Sequence, residues 1–344
     1  MTEGAPEPGV LADLDEEGLL RRILPLFASA GDATRVTVGP GDDAAVLAVP
    51  TGAVVATTDT MVRGRDWLDE WSTGREVGAK VVAQNVADVA AMGGVATGLL
   101  LTLTADPQTR IDWVLELSAG IAHAAADAGV AVLGGDLSSA PAGVVMVSIT
   151  ALGEIPGRTV LRSGAKVGHV VAVCGSLGWS GAGWWLHEQG HSPTITAPDD
   201  DGQRLRAPLM GEHRQPRPPY ESGPIAAAAG ASAMLDISDG LVRDAGRIAA
   251  ASGVAIDLEG AALERDFLPP LAAVMPADVA WRQLLTGGEE HSLLATFPSV
   301  EQVPVDREAP WWVIGRVVPA GDEPGRVTVD GVVPQGRGWD HFAG

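Results

Sequence analysis

The apolar positions switch along the chain between a period near two and one near four, which predicts strands and helices mixed through both halves. Residues 13–27 (DLDEEGLLRRILPLF) open on a capping acid cluster and continue at helical spacing despite Gly18 and Pro25. Residues 46–49 and 53–57 read as short strands around a Pro50-Thr51-Gly52 turn. In residues 73–92, Val77, Val82, Val86 and Val89 recur as one helical face, with Lys80, Gln84 and Asp88 on a second stripe. A strand over 98–103, a helix over 109–128 and strands over 130–133 and 143–152 follow. Residues 1–12 are expected to form a disordered lead.

The turn-rich, basic stretch 154–168 predicts a boundary between domains 1–155 and 156–344. Beyond it lie a strand over 170–174, a Gly-rich turn, a helix near 224–230, a strand ending at Asp236 and a helix over 241–251. The polar, Pro-rich segment 190–219 is expected to be a long loop, with the acids at 199–201 solvated. No periodic repeat occurs. The fold class is mixed α/β (α+β), and 344 residues suit two domains at roughly 100–200 residues each.

Composition narrows this picture. With 46% hydrophobic and 19% charged residues the chain is globular, far from the signature of disorder. A net charge of −21 repels a phosphate backbone and argues against general nucleic-acid binding. One cysteine, Cys174, excludes a disulfide framework and a thiolate zinc cluster. The acidic start lacks a basic and then apolar signal segment, and no apolar run nears the roughly 18–20 residues of a membrane span. A soluble, cytoplasmic protein is expected. Ten tryptophans against one tyrosine have no physical explanation in the sequence.

The informative feature is where the acids sit. Gly41-Asp42-Asp43 opens a strand, Thr57-Thr58-Asp59 ends one, and Asp88 lies in a helix of Ala and Val. Gly134-Gly135-Asp136 ends another strand, and Asp236-Ile237-Ser238-Asp239-Gly240 joins a strand to a helix. Carboxylates among small apolar residues cost free energy unless a cation or hydrogen-bond donors compensate them. Hard divalent cations such as Mg²⁺ take oxygen ligands, bridge carboxylates to phosphates and invert the local sign of charge. The competing reading is a set of N-caps and Asx-turns.

Three other motifs carry less. His187-Glu188-Gln189-Gly190-His191 matches the zinc-protease helix, but Gly190 and Pro193 end that helix at its second histidine. The glycines between Gly175 and Gly183 lack both P-loop and dinucleotide spacing, and read as a structural turn. Cys174 ends an apolar strand and reads as core.

The ordered set GDDAAVL, TTDTMVRGRDW, GAKVVAQNVADVAAMG, VLGGD, LRSGAKVG, LDISDGL, LLTGGEE and GWDHF resembles the thiamine-monophosphate kinases, within the aminoimidazole-ribonucleotide synthetase-like superfamily. The match runs from about residue 15 to the C-terminus. It implies a two-domain fold in which an N-terminal α+β domain binds metal and ATP and pairs across a homodimer. A C-terminal α/β domain (156–344) completes the ATP and substrate site. The implied activity is phosphorylation of thiamine monophosphate to thiamine diphosphate, with ATP as co-substrate and several Mg²⁺ ions.

Carried over by position, Asp43, Thr57, Thr58, Asp59, Asp88, Asp136, Asp236 and Asp239 resemble the magnesium ligands, and Asp42 would support them. Of these, Asp43, Asp88, Asp236 and Asp239 would be central to catalysis. Gly135, Asp136, Arg162 and Ser238 resemble the ATP contacts, and Glu289 and Trp339 the contacts to the thiamine half. The chain departs from the family's pattern at Asp66, which replaces a substrate-facing histidine, and at Glu290-His291, which replace an Asp and an aromatic residue. Thr57 and Ala87 each stand for a common Ser. No reactive cysteine precedes Cys174 and none ends the chain, unlike the selenophosphate and hydrogenase-maturation relatives. Another ATP-using member acting on a different substrate, and a silent Mg-nucleotide-binding relative, remain the alternative readings.

Overall fold

The computed structural model describes residues 9–27, 30–40, 44–192, 201–336 and 338–339. Asp42, Asp43, residues 193–200 and the DHF ending lie outside the described residues. The chain divides into two compact units, Met1–Val89 with Ala96–Glu154, and Ala90–Val95 with Ile155–Gly344. Each mixes strands with helices, as the two hydrophobic periods predict.

The first unit runs α1 (Glu16–Phe27), β1 (Val36–Val38), β2 (Val46–Leu47), β3 (Val55–Val62), α2 (Gly74–Ala91), β4 (Val95–Ala105), α3 (Ile111–Asp127), β5 (Ala131–Ser139) and β6 (Val145–Glu154). Its main sheet has the order β3-β6-β4-β5, with β3 antiparallel to β6 and β5 parallel to β4. Both acid-bearing strands extend further than periodicity predicts. Pairing of Val55 through Val62 with β6 carries Thr57-Thr58-Asp59 into the middle of β3, and Asp136 pairs with Thr102 inside β5. Polar residues that obscure the pattern are held there by ladder hydrogen bonds. Residues 9–12, expected to be disordered, are instead tied down: Leu11 and Ala12 donate their N–H groups to Thr109 and Pro107 at 2.9 and 2.8 Å.

Helix α3 buries the stripe Ile111, Val114, Leu117, Ile121 and Ala125. Helix α2 is covered almost all round, which takes Lys80 and Asn85 inside along with its valines. The two helices touch through glycine. A Cβ at Gly78 would collide with the Leu117 carbonyl, and one at Gly120 with the Arg75 carbonyl.

The second unit runs β7 (Val170–Cys174), α4 (Trp179–Glu188), α5 (Asp201–Arg214), α6 (Ser222–Ala229), β8 (Ala233–Ile237), α7 (Leu241–Ser252), β9 (Ala255–Leu258), α8 (Gly260–Asp266), α9 (Leu268–Ala272), α10 (Ala277–Thr286), β10 (Ser292–Phe297), β11 (Trp311–Val318) and β12 (Val327–Val329). One six-stranded sheet, β12-β9-β11-β7-β10-β8, organises it; β12 is parallel to β9 and the other pairs are antiparallel. Alternate residues of its strands serve two cores. Val171, Val173, Leu235 and Ile237 pack with residues of α4, α5, α7 and α10, whereas Ala172, Cys174, Met234 and Phe297 pack with α6. A sheet covered on both faces reads as unbroken apolar runs.

The segment 190–219 departs from expectation. Its centre is α5, with Asp201 in the first turn and Pro208 inside it. Leu209, Met210 and His213 bury one side of this polar helix, so packing onto α4 selects a helix that composition alone does not announce. Gly183 permits that approach, since a Cβ there would strike the Leu209 carbonyl, and Gly181 permits a second one, where a Cβ would crowd Gln283 and Gly287. The Gly-rich turn is therefore a packing device. His187 is buried in α4, which ends at Glu188, so His191 lies beyond the helix and the zinc-protease face is not formed.

These glycines make a paired prediction. Gly120→Ala should cost about 1–3 kcal/mol by overpacking. Gly211→Ala, with nothing within 4 Å of the new methyl inside α5, should stabilise by about 0.5–1 kcal/mol. Denaturant unfolding of the two variants checks both signs.

Candidate active site

In the first unit, strand alternation sorts the motif TTD. Thr57 and Asp59 share the face of β3 that meets α2: the Thr57 hydroxyl donates to Asp88 Oδ2 at 2.6 Å, and the Asp59 N–H donates to Asn85 Oδ1 at 3.1 Å. Asn85 is held in turn by donating to the Val81 carbonyl at 2.8 Å. Thr58 points the other way and donates to the Ile149 carbonyl at 3.1 Å. Its side chain therefore does not join Thr57, Asp59 and Asp88. Asp136 is exposed on β5 and accepts from the Ser138 hydroxyl at 2.9 Å. Two strands separate β5 from β3, which places them about 14 Å apart at ordinary strand spacing. Asp66 closes the turn after β3, accepting the Val62 N–H at 2.7 Å, while its carbonyl accepts from buried Lys80 at 3.4 Å.

In the second unit, three motifs distant in sequence meet at one place. The turn 236–240 leaves β8, and the loop 287–291 runs back into the neighbouring strand β10. The N–H groups of Glu289 and His291 donate to the carbonyls of Ser238 and Ile237 at 2.8 and 2.9 Å. Gly288 lies so close that a Cβ would strike the Ser238 carbonyl. From the C-terminal segment, Trp339 donates its N–H to the Asp239 carbonyl at 2.9 Å and accepts from Arg243. Trp339 remains 55% exposed. Arg162 is exposed on the segment between β6 and β7.

The loop 287–291 is strained, with Glu289 at φ 65° and His291 at φ 55°. Non-glycine residues persist there only where neighbours over-determine them. Three successive side chains do so by reaching three different elements. Glu289 Oε2 lies 3.5 Å from His213 Nδ1 on α5. Glu290 is buried and accepts the Ser180 N–H at the start of α4 at 3.2 Å. His291 Nδ1 lies 2.9 Å from Asp236 Oδ2 on β8.

The electrostatics are equally specific. Burial, with Glu212 nearby, pushes the Glu290 carboxyl well above the usual range, against the α4 N–H groups that favour its ionised form. Burial raises Glu212 as well. Behind the turn, Asp244 accepts the Asp239 N–H at 2.9 Å and is pushed up to about 6, chiefly by burial. Arg247 bridges the carboxylates of Asp239 and Asp244. Burial pushes the Cys174 thiol up to about 11, which fits core and not a nucleophile. Sequence reasoning missed His213, Asn85, Asp244 and Arg247. The last two lie three residues apart on α7, just after the acidic turn, and that spacing was the available signal.

The donors collected in each unit are hydroxyl and carboxylate oxygens, the type a hard cation takes. No group of three or more His, Cys, Asp or Glu side chains able to hold a metal occurs among the described residues. A magnesium ion here would therefore complete its shell with water and phosphate oxygens, as that ion commonly does.

The buried acid makes a pH prediction. A carboxyl whose folded pKa is raised gives its full stability below the ordinary value and loses it as pH rises toward the raised one. As pH rises above the ordinary carboxylate range, wild type should therefore lose thermal stability relative to Glu290→Gln, which keeps an acceptor for Ser180. Thermal unfolding across pH checks this, and a pH-independent difference contradicts it.

Residues 41–155 match the family "AIR synthase related protein, N-terminal domain", and residues 166–327 match its C-terminal domain. The thiamine-monophosphate kinase of Mycobacterium tuberculosis is 42% identical over 342 residues, covering 98% of this chain and 95% of that protein. The crystal structure of thiamine-monophosphate kinase from Stenotrophomonas maltophilia is similar with a TM-score of 0.79 and 28% identity, covering 93% of this chain and 98% of that one. The structure of AaThiL complexed with AMPPCP and TMP gives a TM-score of 0.70 at 27% identity, covering 97% and 99%. With both domains matched and a relative this similar along nearly the whole chain, the protein belongs to the AIR synthase related family, among its thiamine-monophosphate kinases.

Proposed function

We propose that this protein transfers the γ-phosphoryl group of ATP directly to the phosphate of thiamine monophosphate, releasing ADP and thiamine diphosphate. The observation that carries the reading is 42% identity to a thiamine-monophosphate kinase across 98% of the chain. A bond forms between an acceptor phosphate oxygen and the γ-phosphorus while the bond to the β-phosphate oxygen breaks, its electron pair leaving with ADP. The acceptor is already ionised near neutral pH, so no general base is needed. Positioning and charge neutralisation supply the catalysis.

In this reading Asp43, Thr57, Thr58, Asp59, Asp88, Asp136, Asp236 and Asp239 would hold magnesium, whose charge lets two anionic groups approach. Thr58 would do so through its backbone, since its side chain faces away from Thr57 and Asp59. Gly135, Asp136, Arg162 and Ser238 contact ATP, and the Arg162 fork suits phosphate oxygens. Asp66, Glu289 and Trp339 face the thiamine half, where carboxylates suit a cationic thiazolium and an exposed indole suits a flat ring. The first domain, 1–155, carries the metal and ATP groups and pairs in a homodimer; the second, 156–344, completes the site. No helix among the described residues is long and apolar enough to cross a membrane, and the proposed location is the cytoplasm.

A coupled assay with ATP, Mg²⁺ and thiamine monophosphate tests the reading by following ADP and thiamine diphosphate together. Stoichiometric formation of both is expected. Asp88→Asn should lower turnover about a hundredfold or more with unchanged circular dichroism, because it removes charge while keeping an acceptor for Thr57. ATP consumption without thiamine diphosphate would move the protein to another acceptor. Unchanged turnover in the variant would remove Asp88 from the metal set.

A further inference from the structure

We propose that His213 is a positioning residue for acceptor recognition, and that α5 delivers it to the loop 287–291. The proposal rests on the reading of Glu289 as a contact to the organic half of the acceptor. Glu289 has a backbone fixed at positive φ by its N–H bond to Ser238, but its side chain is 39% exposed and must be aimed. A flexible glutamate makes a selective contact only when its carboxylate is held before the ligand arrives.

His213 is placed to hold it. Its ring is buried in the last turn of α5, with Nδ1 3.5 Å from Glu289 Oε2 and 3.3 Å from the Ser180 hydroxyl. Both neighbours converge on the same ring nitrogen. The arrangement is therefore not a Ser-His-acid relay, which needs the acid and the hydroxyl on opposite nitrogens. In the proposal Nδ1 is the donating nitrogen, shared between the Glu289 carboxylate and the Ser180 hydroxyl. The ring is also packed against His187 of α4, with centroids 6.0 Å apart. Rotation is thereby restricted by the dense α4–α5 interface that Gly183 permits.

The helix inside segment 190–219 thus has a specific use. It carries a buried ring nitrogen to the loop that the 236–240 turn also holds. Glu289 is held through its backbone by Ser238 and approached at its carboxylate by His213. His213 would act on selection of the acceptor, leaving the nucleotide side untouched.

The test is steady-state kinetics on the full chain, with calorimetric binding of thiamine monophosphate in the absence of nucleotide as the second readout. His213→Phe keeps a ring and removes the donor. It should raise both KM and Kd for thiamine monophosphate about tenfold, with KM for ATP within about twofold of wild type. His213→Asn, whose amide places a donor near the Nδ1 position, should recover most of the loss. Gly211→Ala on the same helix should leave both values unchanged, and His213→Phe combined with Glu289→Gln should add little to Glu289→Gln alone. The proposal is overturned if Glu289→Gln weakens acceptor binding while His213→Phe does not, or if His213→Phe raises both substrates' KM equally. If Glu289→Gln itself leaves acceptor binding unchanged, the reading of Glu289 fails and the proposal falls with it. Should His213→Phe not fold, His213→Leu and His213→Asn carry the same comparison, and equal acceptor binding in those two overturns it.

Discussion

The second unit depends on one join, the backbone stitch between the turn 236–240 and the loop 287–291. Two N–H···O bonds and the bare Cα of Gly288 hold the segments at a distance no side chain at 288 would permit. Everything specific about the site follows from that closeness. It forces Glu289 and His291 into the left-handed region, and the strain is stable because neighbouring elements catch each side chain of the loop. The same turn receives Trp339 from the C-terminal segment, so groups on β8, α10–β10 and the chain's end are brought together without long flexible arms.

Charge sets the second constraint. A protein at −21 that handles two phosphorylated substrates must neutralise them locally, and hard cations held by its acids are the proposed means. The carboxylates are therefore held ready. Thr57 donates to Asp88, His291 pairs with Asp236, and Arg247 ties Asp239 to buried Asp244. These contacts engage Oδ2 of Asp88, of Asp236 and of Asp239, whereas both oxygens of Asp244 are engaged.

The strands and helices with clean periods were legible from sequence, as were the positions of most acids. Strands β3 and β5 were read short because Thr57-Thr58-Asp59 and Gly134-Gly135-Asp136 interrupt the apolar pattern while their backbones continue the ladder. Helix α5 was hidden because its propensity is poor, with Pro208 and Gly211 inside it, and only tertiary packing of Leu209 and Met210 reveals it. His213 was unreadable for the same reason, since its partners lie 33 and 76 residues away in Ser180 and Glu289. Four of the tryptophans, residues 67, 113, 311 and 312, turn out to form aromatic pairs in the structure, a packing use that composition could not assign.

In the proposed reaction, catalysis is positioning without a covalent phosphoenzyme. Among the described residues, Cys174 is a buried thiol with a raised pKa, His291 is paired with Asp236, and Ser180 shares one nitrogen of His213 with Glu289, which disfavours these three as phosphate acceptors. The most direct measurement is the stereochemistry at the transferred phosphorus, read by phosphorus NMR of thiamine diphosphate made from ATP that carries a chiral, isotope-labelled γ-phosphoryl group. Inversion of configuration is the predicted result, as a single in-line displacement requires. Retention would mean two displacements through an enzyme-bound phosphate, and would contradict direct transfer.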